Sequence, residues 1–225
     1  MPKIHILLRA RRPTDHAAFA RRASALVPGL LARDPLGLKL AVTASAPPRL
    51  SMVPLARAPL ASISIWTSRD EALEPWARAA AIDGAEVAAY RVEKAIPLTH
   101  ARTWPDGEPT PGVGLLTIFR RRRGLTDDAL RRRWHGGPTP LALEVHPLVG
   151  YVRDTVTAAH GAPLDAIVGE HLGARGDLLR PHRFFGGPLR MIPNMLRIGR
   201  DIAGFIDLAS LESFLVEERW IRSPR

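Results

Sequence analysis

The chain has no cysteine, and of its 32 basic residues only Lys3, Lys39 and Lys94 are lysines. Without thiols there is no disulfide and no thiolate chemistry, and a reducing cytoplasm is the expected setting. No apolar stretch approaches the length of a membrane span. The opening MPKIHILLRARR has too short an apolar run for a secretory signal and no small-residue cleavage site. Metal-ligand spacing is also missing: His160, His171 and His182 are evenly spaced, but Pro and Gly lie between them. Gly112-Val113-Gly114 lacks the third glycine of a phosphate loop, and no serine sits in a nucleophile elbow. No metal and no cofactor are expected.

The net charge of +10 raises nucleic acid as a partner. It is spread evenly, however. Residues 1–110 hold 15 basic against 10 acidic residues, and residues 111–225 hold 17 against 12. There is no basic tail. The clusters Arg120 to Arg123 and Arg131 to Arg133 lack the interleaved aromatics of a single-strand stacking platform. Nucleic-acid binding through these clusters is therefore the weakest of three function classes, behind a small-molecule enzyme and a non-catalytic binding or accessory protein.

What the chain does contain is a long internal echo. Ile6-Leu7-Leu8-Arg9-Ala10-Arg11-Arg12-Pro13-Thr14-Asp15 is matched by Thr117-Ile118-Phe119 followed by Arg120 to Arg123, Gly124, Leu125, Thr126 and Asp127. In both, an apolar run ends in arginines, a Pro or Gly breaks it, and Thr-Asp opens a helix. The ends match too: Val92-Glu93-Lys94 and Val216-Glu217-Glu218. The unit is a small domain rather than a short solenoid repeat. Three segments follow: 1–97, a linker at 98–111 rich in Pro, Thr and Gly, and 112–225.

The first half reads βαββαβ. Strands are expected at Ile4 to Arg9, Leu38 to Thr43, Leu60 to Trp66 and Val87 to Ile96. A helix capped by Thr14 or Asp15 runs through Phe19 and Ala23, is interrupted at Pro28-Gly29, and is ended by Asp34-Pro35. Ser68 with Glu71 reads as a capping box for a second helix through Trp76, with Gly84 as its C-cap. The second half restarts with a strand at Val113 to Phe119 and a helix from Thr126 or Asp127 through Leu130 and Trp134. Strands follow at Val149 to Val156 and Leu164 to Leu172, then a broken helical region from His182 to about Ala203, then a strand at Leu211 to Ile221. Each unit leaves one sheet face bare, which must find a partner sheet. The expected fold is α+β: two ferredoxin-like (βαββαβ) units whose antiparallel sheets pair into an intramolecular dimeric α/β barrel. Internal pairing makes a monomer viable, with a homodimer as the alternative.

Residues 112–221 resemble the EthD family of dimeric α/β-barrel proteins. The resemblance rests on Phe119, Arg120 to Arg123, Gly124-Leu125-Thr126, then Trp134, Pro140-Leu141-Ala142 and Tyr151-Val152. Asp165, Asp201, Phe205-Ile206-Asp207 and Phe214-Leu215-Val216-Glu217-Glu218 follow in order. The family's histidine falls on Pro138 here, with His135 three residues earlier. Either His135 stands in for it or the site is degenerate; the sequence leaves both open. The resemblance implies a small-molecule barrel, in a fold whose relatives include monooxygenases, dehydratases and isomerases, so the fold alone does not select a reaction.

Candidate catalytic residues are His135, as a proton shuttle, with Tyr151 and Arg153 sharing one strand face, and His171, expected across the sheet from Tyr151. Candidate ligand-binding residues are His5, which shares a face with Leu7 and Arg9, together with Trp66, Trp134 and Arg120. The expected activity is cofactor-independent acid–base chemistry on an aromatic, polyketide-like or other hydrophobic metabolite.

Overall fold

The computed structural model describes residues 1–49, 51 and 53–224; the side chains of His135 and Pro138 lie outside the described residues. Eight strands, all paired antiparallel, close into a barrel in the order β1-β3-β2-β8-β5-β7-β6-β4, with β4 returning to β1. They are β1 Lys3–Ala10, β2 Gly37–Val42, β3 Leu60–Trp66, β4 Ala85–Leu98, β5 Val113–Phe119, β6 Leu148–His160, β7 Ala166–Leu172 and β8 Glu212–Arg222. The first four strands occupy one arc, β2-β3-β1-β4, and the last four the other, β6-β7-β5-β8. The arcs meet at β2·β8 and β4·β6. Closure removes every sheet edge, so no strand is left to template aggregation.

The helices follow local chemistry. Helix α1 (His16–Ser24) starts where the Asp15 carboxylate accepts from the Ala18 N–H, and α2 (Val27–Leu31) restarts at the Pro28 break. Helix α3 (Leu73–Ala79) begins at Ala72 with no side-chain cap. The Ser68–Glu71 capping box is thus corrected. Glu71 instead accepts from the Trp76 indole at 2.9 Å. The helix closes at Ala79, so Gly84 lies in the turn leading to β4 rather than at the helix end. Helix α4 (Asp127–Gly136) is capped by Thr126, and Gly137-Pro138 ends it and opens a separate helix, α5 (Pro138–Val145). The expected broken region resolves into α6 (Arg175–Leu179), α7 (Pro181–Phe184) and α8 (Met191–Ile202). Among the described residues no helix is long and apolar enough to cross a membrane.

Strand alternation sorts side chains between two environments. Ile4, Ile6 and Leu8 point out to Phe19, Leu30 and Trp76 under the first-half helices. Phe119, Tyr151 and Val168 point out to Leu130, Trp134 and Phe205 under the second-half helices. Leu7, Tyr90, Leu116, Ile167, Phe214 and Val216 fill the middle of the barrel. An eight-stranded barrel is just wide enough for side chains to fill, and here its apolar middle separates two polar ends.

Candidate functional site

The second-half helices do not seat fully on the sheet. Between them and the outer face of β5, β6, β7 and β8 lies a cavity of about 320 Å³. Its walls are mostly apolar and aromatic, including Phe119, Trp134, Phe184 and Phe205. Phe119 and Trp134 meet edge to face at 5.4 Å, and Phe119 meets Phe205 the same way at 5.7 Å. This is the size and lining of a small-molecule site.

A few polar groups converge on it. Glu170 stands on β7 directly across the ladder from Tyr151 on β6. Among the described residues Glu170 has neither a hydrogen-bond nor an ion-pair partner. Glu170 is partly buried, and that burial pushes its carboxyl up to about 7. Burial, aided by the Glu170 charge, pushes the Tyr151 phenol up to about 12, so it keeps its proton. The Tyr151 hydroxyl lies against the Trp134 indole and Thr139. Thr117 and Ser213 pair hydroxyl to hydroxyl at 2.9 Å across β5 and β8. One of them donates to the other, which leaves the second hydroxyl hydrogen uncommitted. His146 hydrogen-bonds the Phe184 carbonyl through Nδ1 at 2.8 Å and stacks on the Phe184 ring at 3.9 Å. A carbonyl only accepts, so Nδ1 carries the proton and Nε2 presents a lone pair. Burial lowers this imidazole to about 4, so it stays neutral.

The barrel interior holds a second polar group of residues at one end. Lys3 Nζ and His5 Nε2 converge on the same Asp154 oxygen at 2.6 and 2.7 Å. His5 Nδ1 faces Ser62 at 3.2 Å and Ser64 at 3.4 Å. Burial first, then the Lys3 charge, lowers His5 to about 4. Burial works against the Asp154 charge, but Lys3 and His5 overcome it and hold the carboxyl well below the usual carboxylate range. At the other end Arg9 forks onto Glu212 at 2.8 and 2.9 Å, beside a cavity of about 340 Å³ that Arg120 also lines. Among the described residues no three His, Asp or Glu side chains gather so as to hold a metal ion.

The four catalytic candidates from the sequence are distributed as follows. The face that Tyr151 and Arg153 share looks out to the helices, with Tyr151 also reaching the wall of the barrel-mouth cavity that holds His171, while Val152 and Asp154 look in. Arg153 binds Thr139 at 2.6 Å and lies over Trp134 at 5.8 Å, behind the cavity wall. His171 is not opposite Tyr151: its ladder partner is Gly150, and its ring faces the barrel interior. His135 is placed by its backbone on α4; its side chain lies outside the described residues. Of the binding candidates, Trp134 lines the helix-side cavity, His5 and Trp66 line the barrel interior, and Arg120 lies at the far end, paired with Asp207 at 3.2 Å. Sequence reasoning missed Glu170 and His146. His146-Pro147 marks a helix stop, which signalled a turn towards the sheet. A single glutamate in a strand gives no signal of its own.

No known family and no curated protein matches the chain by sequence. Solved structures do match. An anthrone oxidase-like protein aligns over 99% of this chain and 95% of its own at 10% identity, with a TM-score of 0.54. A "putative monooxygenase" from Fusobacterium nucleatum aligns over 98% and 93% at 7% identity, with a TM-score of 0.49. A second one, from Lactobacillus acidophilus, aligns over 98% and 95% at 8% identity, with a TM-score of 0.46. At these identities the anthrone oxidase-like neighbour establishes the fold class: an α+β chain with a closed eight-stranded antiparallel barrel, similar to the dimeric α/β barrels.

Proposed function

We propose that the chain is a cofactor-independent enzyme that removes a proton from carbon in a hydrophobic aromatic ketone bound between the second-half helices and the sheet. The carrying observation is Glu170, a carboxyl with no ionic partner, raised to about 7 in a cavity walled by aromatic rings. A base poised there is half ionised at neutral pH and strong enough to accept a proton. Glu170 takes the proton, and the electron pair of the C–H bond moves into the ring and carbonyl as an enolate. The uncommitted hydroxyl of the Thr117–Ser213 pair donates to the enolate oxygen. Trp134 and Tyr151 are walls, and Arg153 positions Trp134 from behind. His135 is kept as the candidate proton relay, and His171 takes no part in this site.

The same reading treats residues 1–97 and 112–225 as two ferredoxin-like units joined by 98–111, the second of EthD type. Support comes from the parallel arc orders β2-β3-β1-β4 and β6-β7-β5-β8. A chain that closes its own barrel needs no partner sheet, and light scattering at micromolar concentration is expected to give the monomer mass.

Anthrone, the ketone in the name of the anthrone oxidase-like neighbour, has such an acidic C–H and serves as the probe. Under anaerobic conditions in deuterium oxide, the protein is expected to speed exchange at that carbon, followed by NMR. Glu170→Gln is expected to bind anthrone, shown by a thermal shift, and to lose the exchange. Exchange that survives in Glu170→Gln would overturn the assignment. Binding without exchange in the unaltered protein would turn the reading to a non-catalytic binding role.

A further inference from the structure

The three lysines of an otherwise arginine-only chain converge on one place. Lys3, Lys39 and Lys94 line the same cavity of about 80 Å³ inside the barrel. It adjoins a cavity of about 280 Å³ at the barrel mouth, closed over by the 98–111 segment through His100, Arg102 and Trp104. The two share Lys39, Val152, Gly169, Glu218 and Trp220 in their walls, so they form one chamber.

The charged groups in it are not all paired. Lys3 is matched by Asp154 at 2.6 Å and Lys39 by Glu218 at 3.1 Å. Arg102 is matched by Asp106 at 2.7 Å. Lys94 has no carboxylate partner among the described residues and lies 5.8 Å from the Trp66 ring. Glu170, which also lines the mouth cavity, has no cation partner among the described residues, so Lys94 and Glu170 face the chamber unpaired. The walls are flat: Trp66 and Trp220 stack at 5.1 Å, and His100 lies 4.9 Å from Trp104 and 4.7 Å from His171.

Hydrogen-bonding groups are left over too. The indole N–H groups of Trp66 and Trp104 are buried donors with no acceptor. Asp154 Oδ1 is a buried acceptor with no donor. His171 gives its Nε2 proton to the Pro111 carbonyl at 2.7 Å, and its Nδ1 faces the Glu218 carboxylate at 3.7 Å. Trp66, Asp154 and His171 are each at least 95% buried. Buried polar atoms are normally satisfied, and the orphaned indole N–H groups and Asp154 Oδ1 around one chamber call for an occupant that both donates and accepts. Gly169 leaves room for it: a Cβ added there would meet nothing within 4 Å.

We propose that this chamber is a second ligand site, beside the helix-side cavity with which it shares Tyr151 and Glu170 as walls, for a small planar aromatic acid that also carries a hydroxyl group. The carboxylate answers Lys94 and the indole N–H groups. The hydroxyl donates to Asp154 Oδ1, and the ring lies against Trp220.

The probe is 4-hydroxybenzoate, followed by isothermal titration calorimetry and by tryptophan fluorescence. Saturable one-to-one binding is expected, about tenfold weaker for benzoate, which lacks the hydroxyl, and absent for benzyl alcohol, which lacks the charge. Lys94→Gln, an exposed position, is expected to weaken binding about tenfold. Gly169→Leu is expected to abolish it by filling the chamber. Saturating anthrone should not compete, which separates failure of this site from failure of the helix-side reading. No binding of 4-hydroxybenzoate, binding indifferent to Lys94→Gln, or displacement by anthrone would each overturn the proposal.

Discussion

Glu170 should leave its mark on stability whether or not a substrate is ever found. Its carboxyl rises from an ordinary 4.5 to about 7 because it is partly buried in the helix-side cavity with no cation beside it among the described residues. The sign follows from proton binding. Between about pH 4.5 and 7 the unfolded chain has lost this proton while the folded protein still holds it, so stability falls as pH rises. Below that window the group makes no difference, and above it the loss is complete. At about 1.4 kcal/mol per tenfold change in proton affinity the full penalty is roughly 3 kcal/mol. For a chain of this size that is roughly 6–12 °C in Tm. Glu170→Gln removes the titration and keeps the shape. Its Tm minus that of the unaltered protein should therefore climb by that amount between pH 4.5 and 8. His5 and His146, held neutral near 4 in the folded protein, add stability as pH rises to about 6.5, but they do so in both proteins and cancel. Differential scanning fluorimetry across this range is the assay. A difference in Tm that stays flat with pH would refute the claim that Glu170 is a desolvated, unpaired acid.

Two further outcomes test the frame around the sites. Asp154→Asn strands the buried Lys3 ammonium and takes the carboxylate from His5, and should cost about 3–5 kcal/mol in urea unfolding. A cost below about 1 kcal/mol would mean that the barrel end is wet and the pair screened. Gly112→Ala should cost at least about 2 kcal/mol, because this residue enters β5 at φ 95° and its Cβ would fall 2.1 Å from the Leu172 carbonyl oxygen. A near-neutral change would show that the entry to β5 can move.

The elements were legible because their signals are local. Leu60–Trp66 and Val113–Phe119 alternate, and they form strands over those same residues. Asp15 and Thr126 cap helices as their side chains suggested, since the cap bond spans only three residues. Ser68 misled because the competing bond, Glu71 to the Trp76 indole, depends on how α3 docks. Faces were harder than elements. In a barrel covered by helices both faces of a strand are buried, so alternation stops distinguishing inside from outside. Val152 and Asp154 could as well have been the outward pair, and Asp154 looks like a surface acid until Lys3 and His5 arrive from 149 or more residues away.

The order of strands and helices, the break at Gly137-Pro138 and the absence of thiol chemistry belong to the sequence alone, because each is decided by backbone preference or composition within a few residues. The pairing of Glu170 with Tyr151, the gap that α5, α7 and α8 leave over the sheet, and the meeting of three lysines from β1, β2 and β4 at one barrel end belong to the tertiary structure. Those depend on which face of each strand is inward and on how closely distant helices pack. That is settled only when the barrel closes and long-range burial decides among local alternatives of similar free energy.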